Sequence, residues 1–313
     1  MHPRTPGLYT ARLQSLWFLI AIAMAGCGPA KPDVDPVKYG QEIDEWHKTR
    51  LARLTTDTGW LTLAGLGWLK QGENTIGSDS ANTVVTPAGK APALLGTILL
   101  KGDSLRFRAA KGAEVTHDGQ PVTDLPLLSD ESPKPTELHC GTLLLYVIKR
   151  GDQLGVRVKD SQNPARLNFK GLEYFPTDLK YRIAAKFYPY DPIRILEIPS
   201  AAGTVEKQIS PGALGFSING NEYRIDAVVE KGSEDQFFIM FADGTSGKET
   251  YGPGRQLYTT LPDSTNTVIL DFNRAYNWPC VFTEFATCPI PPRQNIIADR
   301  IEAGEKMYHG GLH

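Results

Sequence analysis

The chain has 313 residues, 41% hydrophobic and 22% charged, a length that suits two domains with separate cores. Lys and Arg number 33 against 35 Asp and Glu, for a formal charge of −2, and the sequence has no basic block. That balance excludes binding to nucleic acid, or attraction to an acidic membrane surface, through a basic patch.

In chain order, the first segment reads as an export leader. Arg4 and Arg12 give a positive start, and Leu16 to Ala25 is an apolar run too short to span a bilayer as a mature helix. Met24-Ala25-Gly26-Cys27 follows. These four residues resemble the bacterial lipobox, with Met in place of the more usual Leu. The resemblance implies cleavage before Cys27 and lipidation (diacylglyceryl, palmitate-type chains) of its thiol, anchoring the protein to a membrane. Gly28 after the cysteine implies an outer-membrane lipoprotein facing the periplasm if the host is Gram-negative. Removing residues 1–26 takes away Arg4 and Arg12, which moves the balance from −2 to −4.

Residues 27–35 read as a tether. Asp35-Pro36 is a helix start, and Val37, Ile43, Trp46, Arg50, Leu51 and Leu54 recur near one helical face. One amphipathic helix is expected over Pro36–Leu54, within a segment running to residue 58. From residue 59 the texture becomes short β-branched, aromatic and leucine runs between Gly, Asp, Asn and Pro. Strands are expected at Gly96–Leu100, Ser104–Ala109, Gly141–Lys149 and Leu154–Lys159. Residues 59–162 therefore read as an antiparallel sandwich.

A second β domain is expected over residues 163–313. Its strands are Tyr181–Tyr188, Gly203–Ile209, Leu214–Ile218, Glu222–Val229, Gln236–Phe241 and Val268–Phe272, with a hairpin at Asn219-Gly220. Asn277–Pro292 is too proline-rich for regular structure, and a short helix is expected at Ala298–Lys306. The fold class is mainly β: two β domains with a short N-terminal helix.

Familiar catalytic motifs are absent. Gly215-Phe216-Ser217-Ile218-Asn219 lacks the second glycine of a nucleophile elbow. Gly244-Thr245-Ser246-Gly247-Lys248-Glu249 fails as a phosphate loop, because Ala242 and Glu249 occupy the glycine and Ser/Thr positions. His117, His139 and His309 are scattered, so neither a metal site nor a cofactor is expected. Cys280 and Cys288 are near enough to close a short disulfide loop, and Cys140 reads as a small buried hydrophobe.

A polar cluster in the last third is the candidate site: Asp243, Thr245, Ser246, Thr250, Tyr251, Arg255, Asp271, Asn273, Tyr276, Asn277 and Asn295. Such side chains are costly to bury unless they pair, and Arg255 suits a carboxylate or phosphate. Asp271 and Asn273 share a strand face. Two readings follow from the residues. The cluster either opens on a pocket for a small polar or anionic ligand or an envelope partner, or closes on itself as internal pairs. As a hydrolase or lyase, it would use Asp243 or Asp271 as general base and Arg255 as anion stabiliser, with Cys280 a nucleophile only if unpaired.

Two resemblances go with these segments. Gly72-Glu73-Asn74-Thr75-Ile76-Gly77-Ser78 followed by His117-Asp118-Gly119-Gln120-Pro121-Val122 resembles the layout of forkhead-associated domains. Ser78 stands where those domains carry an Arg for phosphothreonine, so the likeness implies a scaffold or partner surface, and an assembly role is a third reading. The blocks Asp243–Arg255, Asp271–Cys280 and Thr287–Asn295 resemble the bacterial and archaeal domain of unknown function 1684 family. So do Gly59-Trp60-Leu61, Arg157-Val158-Lys159-Asp160 and Gly304-Glu305-Lys306. That family has no assigned activity, so its likeness implies no reaction.

Overall fold

A computed structural model describes residues 1–2 and 34–310; the rest of the expected leader, Cys27 and the expected tether as far as Asp33 lie outside the described residues. Helix α1 spans Pro36–Leu54, the expected bounds. The Asp35 carboxylate accepts from the Val37 and Lys38 amides, and Pro36 occupies the first turn, where its missing N–H costs nothing. The buried face differs from the expected one. Tyr39, Ile43 and Leu54 are buried, whereas Val37 (70% exposed) and Leu51 (39%) face solvent. Tyr39 takes the inner place because its hydroxyl finds partners in the body, described below.

The strands of the first region are β1 (Leu63–Trp68), β2 (Gly72–Gly77), β3 (Val84–Val85), β4 (Gly96–Lys101), β5 (Ser104–Ala109) and β6 (Thr116–His117). They continue with β7 (Gln120–Pro121), β8 (Asp124–Leu127), β9 (Glu137–Cys140), β10 (Leu143–Arg150) and β11 (Gln153–Asp160). One sheet runs β1-β11-β10-β9-β6-β7 and the other β3-β2-β4-β5-β8. Alternate residues from both meet in one core. Ile76, Ile98 and Phe107 of the second sheet pack with Leu145, Val156 and Val158 of the first, and Cys140 is buried there as a free thiol. This is a two-sheet sandwich.

A third sheet, in the order β17-β12-β13-β14-β15-β16-β18, follows. Its strands are β12 (Arg182–Pro199), β13 (Val205–Ile218), β14 (Asn221–Val229), β15 (Gln236–Phe241), β16 (Arg255–Thr260), β17 (Thr267–Asp271) and β18 (Tyr276–Asn277). The expected strands at 203–209 and 214–218 are one strand, β13, carried past Pro211 by a register shift near Ile209 to Gly212. Asn219 (φ 50°) and Gly220 (φ 84°) form the expected tight turn, which closes Ile218 against Asn221. One face of this sheet packs Phe237, Ile239, Phe241 and Leu257 against Ile297, Ile301 and Ala303. The other face carries Phe238 and Met240, which meet Trp278, Ala286 and Cys288.

The helix expected at Ala298–Lys306 is not formed. The segment is irregular, and Gly304 lies in the left-handed region (φ 75°), where a Cβ would run into the Ala275 carbonyl. Its carbonyls serve Arg255 instead of a helical ladder. Helix α1, a second, one-turn helix at Pro164–Leu167 and all three sheets belong to one compact unit.

Candidate binding cleft

The predicted polar residues divide into an enclosed set and an open set. Arg255 begins β16. Strand alternation turns Gln256 and Tyr258 to one side of the sheet and sends Arg255 and Leu257 to the other, into the core. Arg255 is wholly buried. Its Nη2 donates to Asp243 Oδ1 (3.2 Å) and to the Ile301 carbonyl (2.9 Å), and its Nη1 donates to the carbonyls of Ala303 and Glu305. Asp243 also accepts from the Ile301 amide (2.7 Å) and from the Thr245 hydroxyl (2.9 Å), which sits 2.9 Å from the Thr250 hydroxyl. Ser246 Oγ accepts from the Asp243 amide (3.1 Å). Burial pulls the Arg255 guanidinium below its ordinary value, opposed by the adjacent Asp243 carboxylate. These groups pair with one another, all but the Arg255 Nε–H, and clamp the C-terminal segment to the sheet. Arg255 pairs with neither Glu249 nor Asp271; Glu249 is taken by Arg300 at 2.7 Å.

Asp271 and Asn273 do come together, around a group that sequence reasoning missed. Tyr39 of α1 donates to Asp271 Oδ1 (2.8 Å), and Asn273 Nδ2 donates to the Tyr39 hydroxyl (2.9 Å) and to the Asp178 carbonyl (2.9 Å). Burial and the Asp271 carboxylate push the Tyr39 phenol far above its ordinary value, so it stays a donor. Asn295 joins strands: it accepts from the Asp226 amide (2.7 Å) and donates to the Asp226 and Met240 carbonyls. Asn277 Nδ2 donates to the Lys306 carbonyl (2.7 Å). Tyr251 is half-buried beside Cys280 at a small hollow of about 400 Å³. Cys280 and Cys288 are joined as a disulfide, Cα atoms 6.2 Å apart, so Cys280 is no nucleophile in this state.

What is open is a cleft of about 1520 Å³ between α1, the first sheet of the sandwich and the Phe238–Met240 face of the third sheet. Asp271 and Tyr276 of the predicted set line it. Aromatic rings come from α1 (Trp46), the turn before β1 (Trp60), β15 (Phe238), β16 (Tyr258) and the β18 region (Tyr276, Trp278). Tyr276 lies under Arg50 (4.5 Å, guanidinium to ring centre) and beside Trp46 (5.9 Å). Burial raises the Tyr276 phenol to about 12. The Tyr258 hydroxyl donates to Glu230 Oε2 at 2.5 Å.

The sandwich side contributes cations. Arg157 projects from β11 away from the Val156 and Val158 core and is 2% exposed. Its guanidinium faces the Trp60 ring at 5.5 Å. Lys159, two residues on, donates to the Thr58 carbonyl (2.7 Å), and burial, reinforced by Arg157, lowers its pKa. Arg150, nearby, is matched by Asp130 (2.8 Å) and Glu206 (3.5 Å).

Residues 167–306 match the protein family of unknown function DUF1684. This DUF1684 region holds the third sheet, the clamp and the disulfide, while Trp60, Arg157 and Lys159 precede it. An uncharacterised protein from Haloarcula marismortui, solved by NMR, is 25% identical and aligns over 45% of this chain and 78% of its own, with a TM-score of 0.38. An FHA domain from a structural analysis of phosphothreonine-dependent interactions aligns over 31% of this chain and 96% of its own, at 15% identity and a TM-score of 0.22. At these scores neither structure carries an argument about this chain. No curated protein matches it.

Chemically, the cleft offers stacking surfaces, hydrogen-bonding groups, and charges of both signs, with cations from α1 and from the sandwich side, the make-up of a small-molecule site. Sequence reasoning missed Trp46, Tyr258, Glu230 and the cation wall as site residues. A signal for the wall existed, because Trp60, Arg157 and Lys159 lie in two of the blocks that resemble DUF1684.

Proposed function

We propose that this protein is an exported, lipid-anchored binding protein of the cell envelope that takes a small polar or anionic ligand in the aromatic cleft. The leader and the Met24-Ala25-Gly26-Cys27 block support the export and anchoring half of the reading. One observation carries the binding half. Six aromatic side chains from five segments line an opening of about 1520 Å³ that the contacts among their rings leave unfilled. Asp243 and Arg255 take no part in this reading, because they are engaged in the core.

The test is thermal denaturation of the full chain with separate panels of carboxylates, organic phosphates and sugars. A ligand present at 100 times its dissociation constant adds about 2.7 kcal/mol to stability. One class is expected to raise Tm in a dose-dependent way. Gln256→Trp, which fills the cleft from β16, is expected to remove that rise while circular dichroism stays unchanged. A rise that survives in Gln256→Trp, or no rise with any class, counts against the cleft as the site.

A further inference from the structure

Arg157 is a buried cation that lacks a counter-ion. It has no ion-pair partner among the described residues, unlike its neighbour Arg150. Its Nη2 lies 3.2 Å from Thr287 Oγ1 and its Nη1 3.4 Å from the Tyr146 hydroxyl, both neutral groups at the long end of hydrogen bonding, and Nε has no partner. A guanidinium held out of water on neutral partners is an unfavourable arrangement for the fold alone. Lys159, on the same strand face, has no ion-pair partner among the described residues, and the nearby carboxylates Asp130 and Glu206 are engaged by Arg150, which shares Thr287 Oγ1 with Arg157.

Thr287 shows what lies next to this cation. It sits between Ala286 and Cys288, which pack in one apolar cluster with Phe238, Met240 and Trp278. All six of these residues line the cleft. Trp278 adds a buried Nε1–H with no acceptor. The deep part of the cleft is therefore an apolar floor bordered by N–H donors that lack acceptors.

We propose that the cleft takes an amphiphilic acid, its carboxylate or phosphate head on Arg157 and its apolar body along Phe238, Met240 and Trp278. This rests on the cleft being the binding site and adds the class of ligand. A guanidinium suits either head by paired, charge-assisted hydrogen bonds, and this one faces the Trp60 ring at 5.5 Å. A free inorganic anion does not account for the apolar floor or for a cleft of this size.

The experiment titrates the purified full chain with decanoate, decyl phosphate, decanol and inorganic phosphate, reading tryptophan fluorescence and calorimetric heats. Decanoate or decyl phosphate is expected to bind at least about tenfold more tightly than decanol or inorganic phosphate, a difference of about 1.4 kcal/mol. The better of the two acids identifies the head. Arg157→Gln is expected to erase the preference for acid over alcohol while leaving Tm unchanged or higher, since it removes an uncompensated charge. Arg157→Lys is expected to keep part of the preference. A structural role predicts instead a lower Tm with the preference intact. Equal binding of decanol and acid by the unaltered chain overturns the acid head but leaves the cleft as a site. Inorganic phosphate binding as tightly as decyl phosphate overturns the apolar body. Failure of all four probes overturns the proposal, and the Gln256→Trp panel with sugars and short acids then decides separately whether the cleft binds anything.

Discussion

At the scale of single residues, chemically similar groups have different roles according to what surrounds them. Arg255 and Arg157 are both buried, yet Arg255 has a carboxylate and three carbonyls while Arg157 has two neutral hydroxyls. Removing Arg255 leaves Asp243 buried without its cation, which costs about 3–5 kcal/mol in comparable pairs. Arg255→Met is therefore expected to lower the urea midpoint strongly, with or without any ligand, as measured by equilibrium unfolding. A midpoint close to that of the unaltered chain would contradict the clamp. Most of this cluster was visible in the sequence as a set of polar residues that had to pair. Which residue pairs with which was not visible, because Asp243 accepts from the Ile301 amide and Arg255 donates to the carbonyls of Ile301 and Ala303, about fifty positions away.

At the scale of elements, α1 is bounded by strictly local chemistry, and so its limits could be read from Asp35-Pro36 and the apolar spacing. The strand β16 was missed for the opposite reason. Arg255-Gln256-Leu257-Tyr258-Thr259-Thr260 has no binary pattern, since one face meets a charged clamp and the other a polar cleft. The helix expected at 298–306 failed because its carbonyls are acceptors for a side chain, a choice made by tertiary contact. Helix α1 itself carries a titratable contact. The His47 ring stacks on Tyr174 (centroids 3.6 Å apart) and its Nε2 is buried without a partner. Burial lowers its pKa below the ordinary 6.5, with Asp44 opposing. The unfolded chain then takes up this proton more readily than the folded one, so stability is full above about pH 6.5 and falls as pH drops toward the folded value. His47→Phe is expected to flatten the decline of Tm between about pH 7 and pH 5. Parallel profiles for the two proteins would show that this ring does not set the slope.

At the scale of the whole molecule, the cleft is built from segments as distant as Trp46, Arg157 and Trp278, so no local stretch of sequence displays it. Composition and pattern were enough for a mainly β chain with one capped helix, because alternation is a property of each strand alone. The proposed membrane anchoring rests on a different part of the chain. Cys27→Ser is expected to move the protein from the membrane fraction to the soluble fraction of a producing bacterium, measured by fractionation and immunoblotting. Equal membrane retention of both forms would remove the lipid anchor from the proposal.

The clamp around Arg255 also bears on the order in which the chain matures. Three of its acceptors, the carbonyls of Ile301, Ala303 and Glu305, leave the ribosome about fifty residues after Arg255 itself. Until they emerge, the buried cation of the third sheet has only the Asp243 carboxylate to receive its protons. The clamp is therefore completed only after every strand of the third sheet has been made.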